Sequence, residues 1–362
     1  MKKFFDVNYY YIKTDSPSYI INKHSANLGH MKHLSHKIET YVLCSIKSND
    51  NVCIDNVRYV FFKRNVIGHI KYNLFIVFNK PEYIIIHGMR YGLYSCFLKL
   101  LLPKSTNIIV QVHGFALPPS GIKKMIYQYT NKFIDGYFFT GSDNANDWVR
   151  SKVFKKDKVF EIMEGSTSFK FSENANRSLN SFIWVGRLNQ NKDPITILKA
   201  FELYLNYNSS AKLTMVYSSY ELLNEIKLLL KKNDKLKKAI VLLGKVNHAS
   251  LEKLYNQHQY FLLGSHYEGS GYSLLEAMTC GCVPIVTKIP SFCFMTNKGD
   301  CGLLFPSGNA HELLMVLCKT QTINYLKYQK KVLKHVKDKL SHEAIANDIL
   351  KTFNYLSLKK QE

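Results

Sequence analysis

Short apolar runs and longer amphipathic stretches alternate along the whole chain. In the first half, FDVNYYYI, IETYVLCSI, VRYVFFK, YIIIHG, NIIVQVHG, GYFFTGS and KVFEIME read as strands, separated by helix-length segments such as SYIINKHSANLGHMKHLSHK and GIKKMIYQYTNKF. Runs that are apolar at nearly every position, with helices between them, predict a parallel sheet covered on both faces. Residues 172–180, SENANRSLN, are polar and rich in Asn and Ser, and predict a linker.

The alternation restarts beyond it. SFIWVG, KLTMVYS, AIVLLGKV, YFLLGS and VPIVTK predict strands, and DPITILKAFELYL, ELLNEIKLLLKK, SLEKLYNQH and SLLEAMTC predict helices. The first of these helices opens near Pro194, where a missing N–H costs nothing. The economical architecture is α/β, with two doubly wound domains at residues 1–175 and 176–340 and a last helical segment, 341–362, placed to cross back to the first domain. In such sheets ligands bind beyond the carboxyl ends of the strands, which predicts a site in a cleft between the domains.

Composition narrows the class. A chain of 362 residues is longer than one core comfortably fills, and 46% hydrophobic with 13% aromatic residues is ample to bury two. The eight cysteines show no CxxC pair and no His partners at metal-ligand spacing, which predicts reduced thiols packed in a cytoplasmic protein. The start, MKKFFDVNYYYIK, reads as a first strand, because Asp6, Asn8 and Lys13 interrupt the apolar stretch and no small-residue cleavage site follows. No run reaches the roughly 18 apolar residues of a transmembrane helix. The net charge of +22 favours an anionic partner: nucleic acid, a phospholipid surface or a phosphorylated small molecule. A nucleic-acid partner is disfavoured, since the sequence has no zinc spacing, no RNP-like aromatic run and no basic helix fused to heptads.

The chemistry concentrates in HYEGSGYSLLEAMTCGCVPIV, from His266 to Val286. YFLLGS before it is a buried strand, and Ser270 and Gly271 form a credible helix start. A strand, a glycine-bearing turn and a helix N-terminus make an anion site, because the free N–H groups and the helix dipole favour a phosphate and Gly lets it approach. Glu268 lies in the loop before that site. Glu276 lies on the helix, about 6 to 8 Å further along its axis at 1.5 Å per residue. The two are therefore not an acid/base pair on one face; they bracket the phosphate position. In FIWVGRLNQNKDPITILKAF, Gly186 ends a strand, and Arg187 and Lys192 occupy the loop to the next helix. If both loops open at the same sheet edge, a planar fork and a point charge face the phosphate site, a combination suited to a diphosphate.

Between Phe182 and Pro306, VGRLNQNKD, LLGKV, the E-x7-E segment EGSGYSLLE, AMTCGCVPIV and CGLLFP follow in order over 125 residues. This order resembles the donor half of glycosyltransferase family 4, of the GT-B fold, in which two Rossmann-like domains face each other across a cleft. The resemblance implies that Arg187 and Lys192 hold the diphosphate of a nucleotide-sugar donor, that Glu268 lies by the donor sugar as a catalytic residue, and that Glu276 lies by the ribose. It also implies that the backbone of Gly269, Ser270, Gly271, Tyr272 and Ser273 cradles phosphate, and that Gly244, Lys245 and Val246 border the nucleobase. In the first half, NIIVQVHGF matches the strand that delivers a His-Gly pair, so His113 is the candidate catalytic or sugar-contacting histidine and His87, in YIIIHGM, its rival.

Three stretches depart from the family pattern. GST, within KVFEIMEGSTSF, stands where an Asn-Gly-Val-Asp turn is usual. KTDSPS replaces the glycine pair after the first strand, and KLTMVYSS places Tyr217 and Ser218 where glycines are usual.

The reaction so implied is transfer of a sugar from a nucleotide diphosphate to an acceptor hydroxyl, with retention of configuration. None of the thirteen aspartates forms a D-x-D. That argues against the metal-dependent class, so neither a metal nor a cofactor beyond the nucleotide-sugar co-substrate is expected. The rival within the fold is another GT-B enzyme such as a sugar-nucleotide epimerase; the rival outside it is a basic nucleic-acid-binding protein. HMKHLSHK, LLPKS and GIKKMIYQYTNKF set basic residues beside aromatic and aliphatic ones in the acceptor domain, a composition suited to an anionic membrane surface. The expected acceptor is therefore a glycan or lipid-linked glycan, in cell-surface polysaccharide or lipid-linked glycan assembly, with the protein cytoplasmic and peripheral on the inner face of the plasma membrane.

Overall fold

The computed structural model describes residues 2–14, 16–91, 93–113 and 117–361. Two compact units emerge, Met1–Ser166 with Ser341–Glu362, and Thr167–Leu340. The division falls ahead of the polar stretch 172–180, which lies inside the second unit. Arg177 explains why that stretch is anchored: its guanidinium donates to the backbone carbonyls of Tyr255, His258 and Cys280.

Among the described residues the first unit builds an eight-stranded sheet from β1 (Lys3–Tyr11), β2 (Glu39–Ile46), β3 (Asp50–Ile54), β4 (Val57–Lys63), β5 (Tyr83–His87), β6 (Asn107–Gln111), β7 (Gly136–Phe139) and β8 (Val159–Glu161). Their order across the sheet is β3-β4-β2-β1-β5-β6-β7-β8. Neighbours pair in parallel apart from β3 and β4. The sequence reading gave no strand at β3, because that strand is largely exposed and shows no buried apolar run. Its signal is the turn: Asp55 and Asn56, with φ of 52° and 61°, close a two-residue hairpin between Ile54 and Val57, and Asp and Asn are the residues that tolerate that conformation best after Gly.

The second unit builds a six-stranded parallel sheet from β9 (Ser181–Gly186), β10 (Lys212–Tyr217), β11 (Ile240–Gly244), β12 (Tyr260–Leu263), β13 (Val283–Thr287) and β14 (Leu303–Phe305), in the order β11-β10-β9-β12-β13-β14. Each sheet is filled as its apolar runs require. Phe5, Val7, Leu43, Ile84, Ile86 and Ile108 are buried in the first, and Phe182, Trp184, Leu213, Phe261 and Ile285 in the second.

The last helix, His342–Lys359, belongs to the first unit. Ile345, Ile349, Phe353 and Leu356 recur at helical spacing and are buried, and Phe353 stacks on Tyr83 at 4.1 Å between ring centroids. The cysteines are unpaired, and burial raises the pKa of Cys44 and Cys282 to about 12. Among the described residues no helix is long and apolar enough to cross a membrane.

Candidate functional site

In each sheet the strand order reverses at one point, the place where α/β sheets bind ligands beyond the carboxyl ends of the strands. In the second sheet the reversal lies between β9 and β12. Arg187 and Lys192 follow β9; Glu268 and the Gly-Ser-Gly turn follow β12. The two loops do open at one sheet edge, and they are strapped together. Asn191 accepts from the backbone of Tyr267 through Oδ1 at 3.1 Å and donates to the Tyr267 carbonyl at 3.1 Å, while the His266 N–H donates to the Asn191 carbonyl at 2.8 Å. His266 also meets Asp193 at 3.2 Å. Asp193 in turn caps the helix Pro194–Tyr204, accepting from the Thr196 N–H.

The strapping brings Lys192 Nζ onto Glu268 Oε1 as an ion pair, with both side chains largely buried. The Glu268 carbonyl accepts from Ser291 Oγ at 3.0 Å, which fixes the loop from its other side. Arg187 is exposed beside this pair's loop.

The turn after Glu268 is built for close approach. Gly271 caps the helix Tyr272–Thr279 at φ 60°, a conformation that favours glycine, and a Cβ there would lie 2.8 Å from Phe292 Cε1. The cap is a backbone one; Ser270 makes no side-chain cap bond. Its hydroxyl is buried and has no hydrogen-bond partner among the described residues. A buried polar group left so is costly unless a ligand completes it. In any helix the first-turn N–H groups, here including that of Ser273, have no preceding turn to bond.

Glu276 occupies the buried face of that helix. His248 Nε2 donates to its Oε1 at 2.6 Å, and the Tyr255 hydroxyl approaches Oε2 at 3.4 Å. Burial raises the Glu276 pKa above the ordinary carboxyl range, while the bonds from His248 and Tyr255 act against the shift. Gly244 ends β11 at φ 69° with open space around its Cβ position, Lys245 is exposed and Val246 half-buried. The chain then reaches His248 at the start of the helix His248–Gln257. The segment Gly244–Val246 is therefore tied to Glu276 through His248, a residue the sequence reading did not single out.

In the first sheet the reversal lies between β1 and β5. His87 ends β5, and its Nε2 lies 2.8 Å from Asp6 Oδ2, on the neighbouring β1. His87 Nδ1 lies 2.8 Å from His113 Nε2, and His113 Nδ1 lies 3.3 Å from Glu164 Oε1. Burial alone would depress the His87 pKa, but the Asp6 carboxylate outweighs it and Glu164 adds to it, leaving His87 above its usual value. With His87 charged, the row is consistent from end to end: His87 donates to Asp6 and to His113 Nε2, and His113 Nδ1–H donates to Glu164.

The two histidines are hydrogen-bonded partners, and both line a cavity of about 230 Å³ with Asn8, Tyr10 and His24. Gly114 of the His-Gly pair lies outside the described residues. Asp6 carried a sequence signal, a carboxylate inside an apolar strand; Glu164 carried none.

The three departures have local causes. Gly165 of GST packs so closely on the Ala26 carbonyl that a Cβ would lie 2.2 Å from it, and Ser166 N–H donates to the same oxygen. Ser16 of KTDSPS caps the helix Pro17–Lys23; Asp15 lies outside the described residues. Tyr217 is buried at the end of β10 and meets Tyr220 edge-on.

Residues 166–320 match the family described as glycosyl transferases group 1. A stretch of 203 residues is 28% identical to the UDP-N-acetylglucosamine–peptide N-acetylglucosaminyltransferase GtfA subunit of Streptococcus pneumoniae serotype 4 (strain ATCC BAA-334 / TIGR4), covering 51% of this chain and 37% of that relative. The fold is similar to that of HepE of Anabaena in complex with UDP, at TM-score 0.70 and 13% identity over 98% of this chain and all of that one. It is also similar to sucrose-phosphate synthase of Thermosynechococcus elongatus, at TM-score 0.66 and 14% identity over 98% and 99% of the two chains. The fold is GT-B, and the match to glycosyl transferases group 1 spans residues 166–320, less than half of the chain.

Proposed function

We propose that the protein transfers a sugar from a nucleotide-diphosphate sugar to an acceptor hydroxyl. The carrying observation is the switch point of the second sheet, where the Lys192–Glu268 pair adjoins the glycine turn with its buried, unpartnered Ser270 hydroxyl and the exposed Arg187 follows the adjacent strand. Cations and a helix N-terminus at one edge suit the charge that develops when the sugar–phosphate bond breaks and the diphosphate leaves. In this reading Arg187, Lys192 and the N–H groups of Gly269 to Ser273 hold the diphosphate. Glu268 exchanges its lysine for the donor sugar, Glu276 with His248 holds the ribose, and Gly244 to Val246 border the base. These cations take the role that a metal plays elsewhere, so transfer proceeds without one.

His113 contacts the sugar, and Asp6, His87 and Glu164 set its ring orientation and protonation. Configuration at the sugar is retained. UDP sugars are the first donors to test, because relatives of the chain bind UDP or use a UDP sugar. The acceptor is a glycan or lipid-linked glycan hydroxyl, presented at the inner face of the plasma membrane during cell-surface polysaccharide or lipid-linked glycan assembly. The test is a panel of nucleotide sugars screened by thermal shift, then assayed for hydrolysis, transfer and epimerisation. Stabilisation by a nucleoside diphosphate with release of sugar supports the reading; conversion to an epimer without release replaces it.

A further inference from the structure

Three helices of the first unit leave apolar stripes in solvent. On Val66–Asn79, Ile67, Ile70, Leu74 and Phe78 recur at helical spacing, and Phe78 is 76% exposed. Leu93, Phe97 and Leu100 do the same on Leu93–Leu101, and Ile122, Met125 and Tyr129 on Gly121–Thr130. Isolated exposed apolar residues are ordinary on a protein surface; three stripes on neighbouring helices are not. The stripes are continuous. A groove of about 490 Å³ runs between the first two helices and one of about 270 Å³ between the second and third, and Leu93 lines both.

Beneath the stripes lies a packed layer. Tyr94 stacks on Tyr9 at 4.2 Å and meets His69 edge-on at 5.4 Å, and the Tyr9 hydroxyl donates to Asn73 Oδ1 at 2.9 Å. The first groove therefore has a fixed floor.

Charge identifies the occupant. The three helices carry Lys71, Lys123 and Lys124 and no acidic residue; their fourth lysine, Lys99, turns inward onto Asp135 at 2.8 Å, and residues 61–132 hold ten Lys and Arg against one acid, Glu82. Apolar side chains among cations fit the interface of an anionic bilayer: the side chains sink to the acyl boundary and the lysines reach the headgroup phosphates. A second copy of the chain would bury the same stripes but would bring the same cations against themselves.

We propose that this three-helix face docks the protein on an anionic phospholipid surface, with the apolar stripes inserted at headgroup level. Leu93–Leu101 and Gly121–Thr130 follow β5 and β6, whose ends lead to His87 and His113. That a lipid-linked acceptor held in the same bilayer reaches His87 and His113 rests on the transfer reaction proposed above; the docking does not.

The test is co-sedimentation of the full chain with phosphatidylcholine vesicles and with vesicles in which part of the lipid is phosphatidylglycerol. Binding is expected to the second and to weaken with salt. Replacing Lys123 and Lys124 by Ala lowers partitioning by roughly 30-fold, at the energy each lysine contributes near such a surface. The double variant Phe78→Ser, Leu100→Ser lowers it by on the order of tenfold or more, with Tm and circular dichroism unchanged. Binding indifferent to anionic lipid, binding unmoved by both double variants, or no binding to either vesicle overturns the proposal. So does a dimer that forms without vesicles and is lost in the Phe78, Leu100 variant, which assigns the face to a second copy. Vesicle binding is read without turnover, so its failure leaves the donor site untouched.

Discussion

Lys192 and Glu268, on loops that leave adjacent strands of the second sheet, form an ion pair with both side chains largely buried. The pair neutralises itself, so at the donor site proposed above a diphosphate would compete with Glu268 for the lysine. Glu268→Gln should keep the loop's shape while releasing Lys192. A nucleoside diphosphate should then bind at least as tightly as to wild type, while transfer falls by on the order of 100-fold or more. Lys192→Ala should lose both. Calorimetric titration with the diphosphate, alongside initial rates, separates the two; equal loss of binding in both variants would remove Glu268 from the sugar side.

Glu276 gives a pH signature. Its folded pKa is raised by burial, so its contribution to stability is fully present below the ordinary carboxyl value of about 4.3 and is lost as pH rises through the raised value. Glu276→Gln removes that titration. The variant's Tm should therefore gain on wild type as pH rises through this window, while its affinity for the nucleoside falls. A Tm difference that stays flat with pH contradicts the burial argument.

Asp6 has a signature at the histidine row. It holds the His87 pKa up, so stability from the pair is fully present below about pH 6.5 and is lost as pH rises through the folded value. In Asp6→Asn the His87 titration, followed by NMR, should move down, and the stability gap to wild type should narrow with rising pH. Transfer should fall with the donor KM unchanged. A donor KM that rises in proportion would make Asp6 merely structural.

The donor-side elements were legible because their signals are local. Pro194, the GSG turn and the apolar runs from SFIWVG to VPIVTK each mark an element by backbone chemistry alone, and the structure forms those elements. What escaped depends on pairing across the fold. No spacing links Asp6 to His87, Glu164 to His113 or His248 to Glu276; the parallel register and the loop paths bring each pair together. β3 escaped because an exposed strand has no apolar run to show. Of the three-helix face only LLPKS and GIKKMIYQYTNKF showed as basic residues beside apolar ones, and Val66–Asn79 did not, since its stripe becomes part of a surface only when the helices are neighbours.

Gly271 and Gly244 separate conformational strain from space. Both have positive φ, but a Cβ at Gly271 meets Phe292 at 2.8 Å while at Gly244 it meets nothing within 4 Å. Strained backbone costs about 1–3 kcal/mol per residue, and Gly271→Ala should lie at or above the top of that range with Gly244→Ala near its bottom. Chemical denaturation of the two variants checks the order, and equal costs would mean that Phe292 moves aside freely.

If the glycine turn, Arg187, Lys192 and Glu268 form the donor site proposed above, wild type releases nucleoside diphosphate from at least one of a panel of nucleotide sugars, with transfer or hydrolysis of its sugar. Arg187→Ala and Glu268→Ala, assayed beside it at a temperature where circular dichroism shows both folded, lose that release; Glu268→Ala also lowers Tm, because it leaves Lys192 unpaired. Folded variants as active as wild type, or a wild type that neither consumes nor is stabilised by any nucleotide sugar in the panel, would remove the donor site from this turn.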